Sequence, residues 1–232
     1  MDKVDNSPDR HTLCLSGRTI AVFAKQPIAG RVKTRFCPPL SATEACQLYD
    51  TALRETVVRL LQIQAQVVLC YAGRYEWFAK VFPGLFLLPQ AGADLGQRLS
   101  NASRSLFAAG ANPLVIIGSD CPDLPVQFIN QAIVALEDNC DVVTVPCRDG
   151  GYALIGQRRH RPEIFVDIPW SSSDVLTITR MRAAKAKLRY VELSVWEDLD
   201  DVKALSRLLE RSPNSRTAEF VRHKLSGYLK TG

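Results

Sequence analysis

The alternation of short apolar runs with amphipathic stretches constrains this chain more than any other feature. Runs at 18–24, 66–72, 85–89 and 113–118 read as strands, and helical patterns follow them at 41–63, 75–81, 94–109 and 125–137. A fifth run at 141–146 meets a sixth at 152–156 almost at once, before a helix at 173–185, a strand at 188–193 and helices at 201–210 and 215–229. Repeated strand–helix units build a mainly parallel sheet with helices on both faces. The expectation is therefore an α/β fold, a three-layer Rossmann-like sheet. The 232 residues suit one such domain. We assign it to 17–210, with 1–16 as a disordered lead-in and 211–232 as a C-terminal helical extension.

The segment after the first run carries chemistry. Phe23-Ala-Lys-Gln-Pro-Ile-Ala-Gly-Arg-Val-Lys-Thr-Arg35 stands between that strand and Ser41-Ala-Thr-Glu44, a capping-box signature. In an open α/β sheet, ligands sit beyond the carboxyl ends of the strands. Gly30 permits close backbone approach there, and Lys25, Arg31, Lys33 and Arg35 supply positive charge. A polyphosphate fits; a solvated basic loop is the plain alternative. The run 113–118 ends in Gly118-Ser-Asp120, which brings a carboxylate to the same edge. A carboxylate beside phosphates calls for a divalent cation between them, since Mg²⁺ is held by one or two carboxylates plus substrate phosphates. Asp123 is expected to cap the helix that starts near Pro125, which leaves Asp120 free.

Bulk composition narrows the partners. Net charge is +5, mildly basic, and suits anionic small substrates. No long lysine/arginine run is interleaved with aromatics, so a nucleic-acid partner is not expected. Seven cysteines, an odd count with no Cys-x-x-Cys pair, argue against a disulfide framework or thiolate zinc site and suit a reducing cytoplasm. No apolar run reaches membrane-spanning length, and the first residues lack the apolar core of a signal peptide. Neither G-x-x-x-x-G-K-[ST] nor G-x-G-x-x-G occurs.

Four motifs follow one another: Lys-x-Pro-x-x-Gly-Arg-Val-Lys-Thr-Arg at 25–35, Gly-Ser-Asp-Cys-Pro-Asp-Leu-Pro at 118–125, Asp-Gly-Gly-Tyr at 149–152 and Ile-Pro-Trp-Ser at 168–171. In this order they resemble the bacterial DUF2064 family, provisionally assigned as glycosyltransferases and related to the phospholactate and molybdenum-cofactor guanylyltransferases. The resemblance runs over roughly 18–205. It implies the nucleotide-diphospho-sugar transferase (GT-A) fold, with a nucleotide half, an acceptor half and Mg²⁺ or Mn²⁺ held by aspartates.

Carried over position by position, it places Gly30, Arg31, Lys33 and Arg35 in the phosphate loop and Asp120 on the metal. Asp94 and Arg98 fall in a turn that meets base or ribose, with an N-cap and a helix-face cation as their alternatives. Asp149, Gly150, Gly151 and Tyr152 fall in an acceptor-side turn; the glycines suit any tight turn equally well. Trp170 and Ser171 fall in an acceptor-side loop, where the indole either stacks on a sugar or packs. Asp200, with Asp198 close behind, is the second metal carboxylate, although acids at 197–201 also suit a helix N-terminus. The chain departs from the family at Gln26-Pro-Ile-Ala-Gly30, where Ala-Pro-Val-Pro-Gly is usual, and at Asp201, where threonine is usual.

Two transferase readings share one scheme, in which cations neutralise a departing phosphate. Nucleotidyl transfer from a nucleoside triphosphate to a phosphorylated small molecule releases pyrophosphate. Glycosyl transfer from a nucleotide sugar to a hydroxylated acceptor releases nucleoside diphosphate, with Asp149 as the available base. The cations at 30–35 rank the first ahead, with Lys33, Arg35, Asp120 and Asp149 as its catalytic set. A non-catalytic nucleotide-binding module is the third reading, and a homodimer is left open.

Overall fold

A computed structural model describes residues 13–229. The order of elements is β1 (Gly17–Lys25), α1 (Ala42–Leu60), β2 (Gln66–Ala72), α2 (Tyr75–Val81), β3 (Phe86–Pro89), α3 (Leu95–Ala108), β4 (Ala111–Gly118), α4 (Val126–Glu137), β5 (Val142–Pro146), β6 (Tyr152–Gln157), α5 (Val175–Lys185), β7 (Tyr190–Glu192), α6 (Val202–Arg211) and α7 (Arg216–Lys224). Among the described residues the strands form one seven-stranded sheet, ordered β3-β2-β1-β4-β6-β5-β7. Only β6 runs antiparallel, to β4 and β5 alike. The carboxyl ends of the other strands therefore share one edge, and β6 begins there.

The period of two in β1 explains the layers. Ile20, Val22 and Ala24 face a core formed with Leu53 and Val57 of α1, Phe78 of α2 and Ile133 and Leu136 of α4. Ala21 and Phe23 face the other side, where Leu99 and Leu106 of α3 and Ala183 of α5 pack. Both faces of the sheet are covered by apolar side chains, so β1 and β4 read as continuous apolar runs rather than alternating ones. Ser41 and Glu44 form the expected capping box of α1.

A third cluster lies beyond the sheet. Leu48 of α1, Leu205 and Leu208 of α6 and Val221 of α7 bury their side chains together with Phe36 and Leu225. The fully buried cluster spans position 211, so the expected C-terminal extension has no core of its own. Its joint to α1 is polar: the Glu55 carboxylate accepts from the N–H groups of Arg216 (3.1 Å) and Thr217 (2.8 Å) at the start of α7. The helix expected over 215–229 stops at Lys224, and a 3-10 turn over Ser226–Tyr228 follows.

Of the expected lead-in, residues 1–12 lie outside the described residues. Residues 13–16 lie against the sheet, with Leu15 buried and its N–H donating to the Ala109 carbonyl at 2.7 Å. Among the described residues no helix is long and apolar enough to cross a membrane, and all seven cysteines are free.

Candidate active site

The carboxyl edge of β4 organises the site. Beyond Gly118 the chain turns so that the Asp120 carbonyl accepts from the Leu199 N–H at 2.8 Å. The segment carrying Leu199 arrives from β7 by continuing beside β5, where Trp196 N–H donates to the Pro146 carbonyl at 2.8 Å. Asp198 and Asp200 thus reach the edge where Asp120 stands. Asp123 does not cap α4, whose first residues have no side-chain cap. It turns inward to the Arg211 guanidinium of α6 at 2.7 Å, with its own side chain 1% exposed. The Asp-Leu-Pro spacing suggested a cap, but a buried carboxylate requires a cation more strongly than a helix end requires a side chain. Asp120 remains directed to the edge, 54% exposed.

The loop after β1 folds back over these acids. Lys33 takes a left-handed backbone conformation, φ 50°. That conformation aims its side chain inward, leaving it 3% exposed, with Nζ 2.7 Å from Asp120 Oδ1. The same Nζ donates to the Leu199 carbonyl and lies 5.8 Å from the centre of the Phe36 ring. Lys33 is therefore a strut between Asp120 and the 198–200 segment. Arg35 Nη1 pairs with Asp200. Lys25, Gly30 and Arg31 are exposed, and the side chains of Lys25 and Arg31 have no partner among the described residues.

Asp149 stands opposite, at the turn from β5 to β6. Its Oδ1 accepts from Gly151 N–H at 2.9 Å, which closes the turn on itself. Gly150 is required here: φ is +91°, and a Cβ would stand 2.0 Å from the Ser173 carbonyl. The Gly150 carbonyl also accepts from Leu176 N–H at 2.8 Å, which ties the turn to α5. Asp149 and Asp198 each bring a carboxylate oxygen within 4.8 Å of the Cys147 sulfur and of one another. Burial, reinforced by the charges of Asp149 and Asp200, pushes Asp198 from the usual 3.8 up to about 6. A hydrogen bond to Cys147, with burial, holds the Cys121 thiol well above its usual range.

These acids rim a cavity of about 500 Å³ that descends between α3 and α5 onto β4 and β6. Asp120, Asp149, Gly151, Tyr152, Trp170, Ser171, Asp198 and Asp200 line it. Burial raises the Tyr152 phenol, whose hydroxyl is enclosed toward Thr179 of α5. Trp170 both lines the cavity and packs: its Nε1 would stand 2.7 Å from a Cβ on Gly96, so α3 admits the indole only because that position is glycine. Ser171 holds a φ of 69°, a cost that such sites carry where a side chain must be aimed.

Asp94 and Arg98 take their structural alternatives. Asp94 caps α3 by accepting from Gln97 N–H at 2.8 Å, and Arg98 Nε donates to the Gly92 carbonyl at 3.0 Å. Neither lines the cavity. Sequence reasoning missed Cys121 and Cys147 as cavity residues; their only signal was adjacency to Asp120 and Asp149. Gln90, at the start of the turn that holds Asp94, is structural too: its amide donates to the carbonyls of Ala24 (3.2 Å) and Cys70 (2.8 Å) and clamps β1 to β2.

A mainly parallel sheet in this strand order, with one antiparallel strand beside an acid-rimmed cavity, defines the nucleotide-diphospho-sugar transferase fold. Solved structures share it. A Desulfovibrio desulfuricans G20 protein, provisionally named a nucleotide-diphospho-sugar transferase, is 30% identical and superposes at a TM-score of 0.85 over 92% of this chain and 97% of its own. A cytidylyltransferase from Leptospira borgpetersenii is 12% identical, with a TM-score of 0.56 over 94% of this chain and 98% of its own. A CMP:2-keto-3-deoxy-manno-octonic acid synthetase solved with CTP is 12% identical, with a TM-score of 0.55 over 85% and 98%. No curated protein matches the chain.

Residues 56–172 match the family described as an uncharacterized protein conserved in bacteria, DUF2064. The chain belongs to that family. The matched stretch holds Asp120 and the motifs at 149–152 and 168–171, while the loop at 25–35 and Asp198 lie outside it.

Proposed function

We propose that this chain transfers a glycosyl group from a nucleotide-diphospho-sugar to a hydroxyl acceptor, aided by a divalent cation. The observation that carries this reading is the engagement of Lys33 and Arg35 with Asp120 and Asp200. Both leaving groups are anionic, but pyrophosphate departs with the larger charge and needs more unengaged cations aimed at its oxygens than a nucleoside diphosphate does. Two of the four loop cations are instead spent on carboxylates, which reverses the ranking drawn from the loop sequence alone. The name given to the 30%-identical Desulfovibrio protein agrees with glycosyl transfer.

The acids fit a cation of the Mg²⁺ or Mn²⁺ kind. They offer oxygen donors, and burial beside the charges of Asp149 and Asp200 disfavours the charged form of Asp198, a penalty that a bound cation would relieve. Asp198 with Asp149 supports this better than the pair Asp120 and Asp200, which Lys33 and Arg35 already hold. Such an ion, when bound, would offset the charge growing on a departing diphosphate. The chain's own residues do the rest. Asp149, fixed by the Gly151 N–H, stands at the cavity rim, where the carboxylate oxygen not engaged by the ion would accept the acceptor hydroxyl's proton. The acceptor oxygen then bonds to the anomeric carbon as the bond to the β-phosphate breaks. Lys25 and Arg31 would take the diphosphate from outside the cavity.

Those two exposed cations also favour nucleotidyl transfer as the second reading. A pyrophosphate-release assay over several nucleoside triphosphates, run beside turnover of several nucleotide sugars, separates the two. Nucleoside diphosphate released from a sugar nucleotide, with no pyrophosphate from any triphosphate, is the expected result. The converse reverses the order, and silence in both arms returns the binding-module reading.

A further inference from the structure

We infer that the acceptor is an uncharged alcohol with an apolar body, and that phosphorylated acceptors are excluded. This rests on the glycosyl-transfer reading, in which the cavity beside Asp149 is the acceptor's place.

Two independent observations meet here. The first is charge. Among the described residues Arg35 is the single cation lining the cavity, and it is paired with Asp200. Lys33 neutralises Asp120 from behind the wall. That leaves Asp149 and Asp198, and a divalent cation bound between donor and protein would neutralise those two. No positive charge remains to receive a second anionic group. A phosphate placed at this rim would lose its hydration with no free cation to receive it, and the donor's own diphosphate would add like-charge repulsion.

The second observation is the floor. Below the acids the cavity is lined by Phe23 of β1, Leu95 and Leu99 of α3, Ile116 of β4 and Ile155 of β6, and it is closed by Trp170. Leu95 is 43% exposed although it is a large apolar side chain on the cavity lip. Phe23, Tyr152 and Trp170 are only partly covered. Pockets built this way bury an apolar ligand body and orient it through a few polar groups at one end. Here that end is the acid rim, where Asp149 waits for a hydroxyl proton. Ser171, Ser172 and Ser173 line one side, but a polar sugar acceptor, with hydroxyls on every side, would leave those that face this apolar floor unpaired.

The test uses a pair matched in body and differing in charge: 1-naphthol and 1-naphthyl phosphate. Each is titrated calorimetrically into the full chain with Mg²⁺ present. The naphthol is expected to bind at least about tenfold more tightly, the least that stripping a phosphate of its hydration without a cation to receive it costs. Leu95→Lys adds a cation at the exposed lip and should narrow or invert that preference; a thermal unfolding curve verifies that it folds. Mg²⁺-dependent binding of a panel of nucleoside diphosphates, measured on the same samples, reports the parent reading separately. Equal or tighter binding of the phosphate by the wild type overturns the inference. So does absence of naphthol binding while a nucleoside diphosphate still binds, or an unchanged preference in Leu95→Lys.

Discussion

Lys33→Met separates a structural lysine from a phosphate-binding one. The Lys33 side chain is 3% exposed and its ammonium donates to the Leu199 carbonyl and to Asp120, 2.7 Å away. A charge-assisted hydrogen bond contributes about 1.5–3 kcal/mol. The Asp120 arm is worth less, about 0–1 kcal/mol, because that carboxylate is 54% exposed and solvent screens it. Methionine keeps the stem packed on Phe36 and relieves the burial of an ammonium, which offsets part of the loss. The net expectation is a destabilisation of about 2–3 kcal/mol, or roughly 4–12 °C in Tm for a chain of this size. Circular dichroism melts measure the first quantity and calorimetric titration of a nucleoside diphosphate the second. Arg31→Ala is the counterpart: unchanged Tm, with affinity for the diphosphate reduced about tenfold or more. A Lys33→Met protein that melts like the wild type, yet selectively loses affinity for the diphosphate, refutes the strut.

Arg211→Met should destabilise by about 3–5 kcal/mol, because it leaves the Asp123 carboxylate buried without its cation; equilibrium urea unfolding measures it. Asp198→Asn should gain stability at pH 8, and the gain should shrink as pH falls to 4. The folded pKa of Asp198, about 6, lies above the usual 3.8, so its favourable contribution is complete only below the lower value and is lost as pH rises through the higher. Melts of both proteins across that range show the convergence, and a constant difference contradicts it. Gly150→Ala forces a Cβ to within 2.0 Å of the Ser173 carbonyl at a φ of +91°. It should cost at least about 2 kcal/mol and abolish turnover by displacing Asp149.

The fold was legible because its signals are local. Apolar runs of strand length, the Ser41–Glu44 box and the spacing of helical stripes each name an element without reference to distant residues. The site was legible only as residue types at a sheet edge. Asp120 could be placed there because it follows a strand's carboxyl end, whereas Asp149 and Asp198 came only from the family resemblance, Asp198 ranked behind Asp200. What the loop cations do was not legible. Lys33 and Arg35 are indistinguishable in sequence from Arg31, and only a left-handed backbone at Lys33 sends one of them inward. Asp123 misled for a related reason: its partner Arg211 is 88 residues away, and no local pattern announces such a pair. Gly96, adjacent to the Asp94 cap, gave no sign that Trp170 needs its missing side chain.

The central claim is that these acids hold a divalent cation against a sugar nucleotide's diphosphate. Calorimetric titration of a panel of nucleotide sugars, with and without Mg²⁺, into wild type and Asp198→Asn tests it most directly. The account predicts binding of at least one nucleotide sugar that depends on Mg²⁺. In the folded Asp198→Asn protein that binding should weaken by at least the roughly 10–100-fold that loss of even an outer partner costs a metal site. Binding that is indifferent to Mg²⁺ and equal in the two proteins would contradict it.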